Sequence, residues 1–404
     1  MFRYLIYVGE NMDARQQRGY EIAKTKQITK KENGWLVPSQ STNKRNYFVN
    51  ENFECECPDS IFHKNTCKHA YAVRYFLSVE KETPEGKITK EVRITYKQVW
   101  NKYNQAQKSE VKLFDELLSD LVENVEEPSQ IIGRPKMSLR KALFCAIQKV
   151  YSQLSSRRAY SLFKNAEARE QIDKAPHFNT VSKILNREDI TPLLHELVSI
   201  TAQPLKAVDT EFAIDSTGFR TTSFNEYAED KYSLNRQHRW VKAHVCTGVK
   251  THTITAIEIT HENAADCRKF APLINTTAEG GFTVREVSAD KAYCTRDNYD
   301  VVKELGGQAF IPFKSNATGK SRGSLLWRKM YLYFQLHQEE FMAHYHKRSN
   351  VETTFHMIKM KFGDKLKSKN PKAQENELLC KIIAHNMVVL IHEMHELGIE
   401  PKFN

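Results

Sequence analysis

Four residues between positions 55 and 69 have the types and spacing of a metal cluster: Cys55-x-Cys57, nine residues, then Cys67-x-His69. Three thiolates and one imidazole make a closed tetrahedral set, which suits a structural Zn2+ and leaves no open coordination position for catalysis. His63, inside the loop, competes for the fourth place. Further along, two aspartates each stand in an apolar run, Phe212-Ala-Ile-Asp215 and Val287-Ser-Ala-Asp290. Both are expected at strand ends, where a carboxylate is costly without a cation to pair with it. Phosphoryl transfer on DNA meets that need with two hard cations roughly 3.5–4 Å apart, so oxygen ligands here point to two Mg2+ (or Mn2+) ions.

The third carboxylate is sought in Phe341 to Phe362, which reads as helix. Tyr345, Arg348, Glu352 and Lys359 follow one another at steps of three, four and seven and share a face. Val351, Phe355, Ile358 and Phe362 make a neighbouring apolar stripe, so the helix can pack through one stripe and present the other. Glu352 would complete the metal ligands, and Arg348 and Lys359 would meet phosphates. An exposed helix with an Arg348 to Glu352 ion pair explains the same residues if they are taken alone. Two aspartates upstream in the right order favour the site. Asp209 precedes a strand, while Asp297 and Asp300 open a helix, and all three are set aside as ligands. Lys242 and His244 alternate along a strand on a face next to that of Asp215 and could line the site, although a structural histidine is the commoner outcome.

The elements that must position these groups can be read from the pattern. Asn33 to Asn50 reads as strand, polar turn, strand, followed by the cysteines and a short helix from Ala70 to Leu77. Glu80 to Arg93, with Thr83-Pro84-Glu85-Gly86, reads as a charged linker. A helix from Tyr96 to Asn124 follows, with Val111, Phe114, Leu117, Leu118, Leu121 and Val122 as its apolar face. Leu139 to about Ile200 is helical in pattern, and within it Ala159 to Phe163, after Ser155 to Arg158, and Asn179 to Leu185 read as two helices with an intervening turn, compatible with a helix-turn-helix. Three strands in succession begin at Phe212, Val241 and Thr251; helix and strand then alternate to Pro312, and long helices finish the chain. This is a mixed α/β sheet.

The chain has 404 residues, 40% hydrophobic and 27% charged, with net charge +11. Its surface attracts polyanions. Lys347 to Lys372 holds eight lysines and arginines against Glu352 and Asp364, which reads as a track for a DNA backbone. Gly133-Arg-Pro-Lys136 reads either as a minor-groove contact or as a basic linker. Three of the eight cysteines lie in the cluster and the others are scattered, the pattern of a reducing compartment. No run approaches the roughly 20 apolar residues that span a bilayer, and Met1 to Gly9 lacks the features of a secretory signal. No membrane association and a cytoplasmic, nucleoid-associated location are expected.

Tyr345-x2-Arg348-x3-Glu352-x6-Lys359 resembles the Y-x2-R-x3-E-x6-K signature of the DDE transposases of bacterial and archaeal insertion sequences. Asp215-Ser-Thr-Gly218 and Asp290-Lys-Ala-Tyr293 fit the family's surroundings of the first two acids. The resemblance covers about 134 to 400 and implies an RNase H-like catalytic core. Only about sixty residues separate Asp290 from Glu352, which leaves no room for the large β-insertion of some members. The cluster of Cys55, Cys57, Cys67 and His69 resembles the SWIM zinc finger over about residues 30 to 80, a module associated with binding DNA or proteins.

The expected organisation is a SWIM-type finger with its extension at 1–80, a helical linker at 81–132, a helical DNA-binding region at 133–204 and an RNase H-like catalytic domain at 205–404. The expected function is a transposase that binds the terminal inverted repeats, cuts them and joins a 3′ hydroxyl to target DNA. Asp215, Asp290 and Glu352 would be catalytic and would hold the metal ions, Tyr345, Arg348 and Lys359 would contact double-stranded DNA, and the chain would act as a homodimer on DNA. A domesticated, non-cutting regulator and an RNase H-like nuclease without strand transfer are the rival readings.

Overall fold

A computed structural model describes residues 14–26, 28–31, 33–39, 46–63, 66–76, 79–82, 88–91, 99–123, 125–128, 137–221, 240–262 and 264–403. The readings of Met1 to Gly9, Thr83 to Gly86 and Gly133 to Lys136 fall outside these residues. The chain divides into two compact units, 1–95 and 96–404.

In the smaller unit, helix α1 (Ala14–Thr25) precedes a three-stranded antiparallel sheet of β1 (Thr29–Lys31), β2 (Gly34–Pro38) and β3 (Asn46–Asn50), in that order. Helices α2 (Pro58–His63) and α3 (Lys68–Phe76) follow. The expected hairpin is β2 paired with β3, Trp35 facing Val49 and Val37 facing Tyr47. Trp35, Val37 and Val49 join Ile22 of α1 and Ala72 and Val73 of α3 in one buried cluster. Gly19 permits the close approach of α1 to α3, since a Cβ there would lie 2.6 Å from the Cβ of Tyr71. The segment read as a linker instead contains an antiparallel pair, β4 (Val79–Glu82) with β5 (Ile88–Glu91). Charge hid it: Val79, Ile88 and Thr89 favour strand, but alternation with Glu and Lys reads as solvated chain.

The larger unit begins with α4 (Trp100–Glu123), α5 (Leu139–Ser152), α6 (Ser156–Ala168), α7 (Phe178–Leu185) and α8 (Ile190–Ala202). Phe114, Leu117, Leu118, Leu121 and Val122 of α4 are buried as expected, whereas Val111 is exposed and Glu110 and Asp115 take inward positions. Those two acids have partners: Lys361 Nζ donates to Glu110, and Gln148 and Arg169 donate to Asp115. Alternation of apolar residues could not reveal a buried acid whose cation lies far away in sequence.

A five-stranded mixed sheet follows, in the order β10-β9-β6-β7-β8, built from β6 (Glu211–Arg220), β7 (Trp240–Gly248), β8 (Ile254–His261), β9 (Glu286–Ala289) and β10 (Gln308–Phe310). β6, β7 and β8 run antiparallel to one another, while β9 and β10 are parallel to β6. The parallel strands are reached through α9 (Phe270–Glu279) and α10 (Arg296–Glu304). This mixed α/β sheet, flanked by helices, is the fold class expected from the sequence and is consistent with an RNase H-like core. Side chains alternate between the faces of β6: Phe212 and Ile214 enter the core shared with α9 and α10, and Ala213 and Phe219 enter the core shared with the terminal helices. Of these helices, α13 (Ser349–Phe362) and α14 (Pro371–Leu397) line that second core, whereas α11 (Leu325–Leu336) and α12 (Gln338–Tyr345) contribute Trp327, Met330 and Phe341 to the first.

Helix α14 organises this half of the molecule. It packs on α4, α5 and α8 and buries Asn376, Lys381 and Asn386 along with its apolar residues. Each buried polar group finds backbone to bond, as burial requires. Asn386 exchanges two hydrogen bonds with Ile254, accepting at 2.8 Å and donating at 2.7 Å, beside the register shift where β7 and β8 part. Asn376 donates to the carbonyls of Leu185 and Arg187 after α7, and Lys381 donates to those of Gly363 and Lys365 after α13.

Candidate catalytic and metal-binding sites

In the smaller unit, the hairpin and two helix starts bring the cysteines together. Cys55 bridges back to Val49 of β3, the carbonyl of Cys57 accepts from Ser60 and Ile61 as α2 begins, and Cys67 and His69 stand at the start of α3. All four residues are buried, and their ligand atoms lie within 4.8 Å of one another. His69 Nδ1 is 3.8 Å from Cys55 Sγ and 3.9 Å from Cys67 Sγ. The edge of a tetrahedron with Zn–S near 2.3 Å and Zn–N near 2.0–2.1 Å is about 3.6–3.8 Å, so the donor set fits zinc in both chemistry and spacing. A hydrogen bond from Cys55, assisted by His69, pulls the Cys67 thiol down to about 4 against the effect of burial. The cluster closes on His69; the side chain of His63 lies outside the described residues.

In the larger unit, β6 and β9 pair in parallel with Ile214 opposite Ala289, so Asp215 and Asp290 occupy the next register position side by side. Asp215 is not at a strand end as expected, because β6 continues to Arg220 along its antiparallel partner β7. It is the parallel ladder to β9 that stops there. Asp215 lies on the face of Ala213, toward the terminal helices, and its Oδ1 accepts from the Ser216 amide at 2.8 Å. Asp290 accepts from the Lys291 amide at 2.6 Å.

Phe341 to Phe362 is not one α-helix. A tight turn at His346–Arg348 separates α12 from α13. The four signature residues still converge on β6. Arg348 donates from Nη1 to Asp215 and from Nη2 to Glu352 at 2.7 Å, and its guanidinium is 5.9 Å from the Tyr345 ring. Lys359 Nζ donates to Thr217 at 2.7 Å and lies 5.4 Å from the Phe219 ring. Asp290 is within electrostatic range of Asp215, Tyr345 and Arg348. On the other side of α13, Val351, Phe355, Ile358 and Phe362 are all buried.

Burial pushes the Asp215 carboxyl above its ordinary value; Arg348 opposes the rise, and Asp290 and Glu352 add to it. Burial also opposes the charge on Arg348, but Tyr345, Asp215, Glu352 and Asp290 outweigh it and raise its pKa. Lys359 is lowered by burial. Three carboxylates around the half-buried Arg348 form an oxygen-only donor set with excess negative charge, of the kind hard divalent cations take. The donor types of Asp215, Asp290 and Glu352 suit such ions, but among the described residues their oxygens are not drawn together as the Cys55 to His69 donors are, and Arg348 stands between the first and the last.

Sequence reasoning missed the role of Lys347, which donates to Glu211 at 2.9 Å and to Glu286 at 3.0 Å, at the opposite end of the parallel strands from Asp215 and Asp290. His344 adds a 2.8 Å contact to Glu286. At the other end of α13, Arg220 and Leu366 pair through the backbone at 2.8 Å, and Arg220 bonds Asp364. The helix is thus tied alongside β6 at both ends. Of the eight cations read as a DNA track, Lys347, Arg348, Lys361 and Lys372 already hold carboxylates of this chain.

The other acids have structural partners. Asp209 is buried, accepting from the Lys250 amide and the Thr251 hydroxyl, and Gly248 makes room for it, since a Cβ there would fall 2.3 Å from the carboxylate. Asp300 accepts from Ser324, and Asp297 lies in the first turn of α10. His244 pairs with Ser216, so it lies on the face of β6 and β7 opposite to Asp215, where it bonds Thr260 at 2.8 Å. Burial lowers its pKa to about 4. Neither it nor Lys242, which pairs with Asp266, lines the site.

No helix among the described residues is long and apolar enough to cross a membrane. No solved structure matches the chain. Residues 206–387, which carry the sheet, Asp215, Asp290 and Arg348 to Glu352, match the family model of the transposase DDE domain, and that match indicates a metal-dependent enzyme that cleaves DNA and transfers strands.

Proposed function

We propose that this chain is the transposase of an insertion sequence, of the type bearing the Y-x2-R-x3-E-x6-K signature, with a SWIM-type zinc finger at its N-terminal side. It binds terminal inverted repeats, frees a 3′ hydroxyl and joins it to target DNA. The observation that carries this reading is the meeting of Asp215 with Glu352 through Arg348, beside the parallel register that sets Asp215 next to Asp290.

In this reading Asp215, Asp290 and Glu352 hold two Mg2+ or Mn2+ ions. When bound, these ions supply activation of the attacking oxygen and stabilisation of the leaving one. Arg348 and Lys359 orient the phosphate by charge-assisted hydrogen bonds, with Tyr345 supporting the guanidinium. Val351 and Phe355 fix the helix so that Glu352 keeps its distance from the strand. Helices α5 to α8 serve in recognition of the ends, the Zn2+ site of Cys55, Cys57, Cys67 and His69 holds a docking module together, and the two ends are joined by a homodimer on double-stranded DNA in the nucleoid.

The test is cleavage and joining of duplexes bearing the element's ends, with Mg2+ or Mn2+, for wild type, Asp215→Ala and Glu352→Ala. Cutting that persists in both variants would remove the site assignment. DNA binding without any cutting by wild type would favour a domesticated regulator, and cutting without joining a nuclease.

A further inference from the structure

A second basic constellation lies in the larger unit, apart from the Arg348 contacts. Arg296, Lys314, Asn316 and Arg322 line a cavity of about 250 Å³ together with Cys294 and Trp327, and no carboxylate lines it. In helix α10 next to it, Asp300 is engaged by Ser324.

Its place in the sheet gives this charge a purpose. Asp290 follows β9 and Lys314 follows β10, and these strands are parallel with Ala309 opposite Val287 and Phe310 opposite Ser288. Both segments therefore leave the sheet at the same, carboxyl end, where ligands of α/β sheets bind. Helix α10 begins at Arg296 and helix α11 has Trp327 in its first turn.

The walls are held before any ligand arrives. Arg296 donates to the carbonyls of Ser321 at 3.1 Å and Lys320 at 3.0 Å and lies 4.4 Å over the Trp327 ring, while Trp327 Nε1 donates to Thr318 at 2.8 Å. Lys314 and Arg322 are exposed and bridge no acid among the described residues. Arg322 also takes φ +44°, a left-handed conformation that glycine would adopt more cheaply. The turn by itself does not need an arginine.

We propose that this cavity is a phosphate subsite, seating a backbone phosphate of a DNA strand that crosses the carboxyl end of the sheet beside Asp290. The inference rests on the transposase reading for the identity of the polyanion. Its test is the salt dependence of binding, by fluorescence anisotropy, of a labelled duplex carrying an element end to the full-length, zinc-loaded protein without added divalent metal. Losing a phosphate contact lowers the slope of log affinity against log salt by about 0.9.

Lys314→Gln with Arg322→Gln is expected to lower the slope by about one such step and to weaken binding several-fold at low salt. Arg322→Gly, which relieves the backbone while removing the cation, is expected to lower it in part with no loss of melting temperature. Arg328→Gln with Lys329→Gln, exposed on α11 outside the cavity lining, is the control. An equal fall in the control would mean a diffuse field and overturn the subsite, as would an unchanged slope in the Lys314 and Arg322 variant while wild type binds and cuts. Saturable binding of inorganic phosphate to the DNA-free protein, lost in that variant without a change of DNA slope, would assign the cavity to free phosphate and overturn the DNA contact. Failure of wild type to bind DNA at all would remove the transposase reading, and this inference with it.

Discussion

The guanidinium of Arg348 is hydrogen-bonded to the carboxylate of Asp215, which lies on the central strand 133 residues earlier. The same group holds Glu352 at 2.7 Å. One side chain thus supplies the charge that two proposed metal ligands need, and a divalent ion must compete with it for their oxygens. Arg348→Ala is expected to tighten Mn2+ binding to the DNA-free, zinc-loaded protein by about tenfold, a fraction of the roughly 4 kcal/mol that unit charges 4 Å apart exchange at an effective dielectric near 20. Cleavage should fall by about two orders of magnitude, as expected when a preorganised contact to the reacting phosphate is lost. Titration calorimetry reads the first effect, and Mn2+ binding that stays the same or weakens would refute the competition.

Lys347 anchors the turn that carries Arg348. Its ammonium lies between Glu211 and Glu286, and the Glu286 side chain is only 10% exposed. Lys347→Met leaves Glu286 with His344 as its remaining cationic partner, and removing one member of a buried pair costs about 3–5 kcal/mol. The melting temperature should drop accordingly. Pairing Lys347→Met with Glu286→Leu should recover most of the loss, since an apolar pair of similar volume can replace a buried ion pair. A double variant no more stable than the single one would show that the clamp does more than neutralise charge.

Much of this candidate site's geometry was legible because its proposed ligands stand in short motifs with a physical reason for their spacing. Arg348 and Glu352 are one helical step apart, and each aspartate follows an apolar run. The strand end assigned to Asp215 was wrong because β6 runs on past the apolar run through Ser216, Thr217 and Gly218, which antiparallel pairing with β7 keeps extended. The break at His346–Arg348 was hidden because its residues keep right-handed dihedrals on either side, with Tyr345 at φ −57° and Arg348 at φ −54°. The pattern placed Lys347 in a basic track and could not reveal its role between two strands. Its partners Glu211 and Glu286 are brought opposite each other only by the register of β6 with β9.

Glu393 of α14 gives the fold a pH dependence. Burial raises its carboxyl to about 7, with repulsion from Glu396 and Asp209 adding to the rise. Between the ordinary value of 4.5 and about 7 the folded chain holds a proton that the unfolded chain has released. Stability therefore falls as pH rises through that window and stays low above it. Glu393→Gln should melt higher than wild type at about pH 8, by on the order of 1–3 kcal/mol at 1.36 kcal/mol per pKa unit, and the same as wild type near pH 4.5. Equal melting of the two proteins across the range would mean that the carboxyl is ionised at little cost.

Three of the four proposed zinc ligands, Cys55, Cys57 and Cys67, lie within the smaller unit's described apolar cluster, where they pack with Trp35, Val49 and Val73. A zinc ion there would join the hairpin to both short helices, and its binding free energy would count as folding free energy. Elemental analysis of the purified protein is expected to give one zinc per chain, and Cys67→Ser to give none. Because the carboxylate site is built from other residues in the larger unit, chelation should abolish the protease resistance of 14–76 while the segment 137–403 stays protected. Zinc at background level in wild type would remove the metal assignment. Loss of protection in both units together would show that the smaller unit does not unfold on its own.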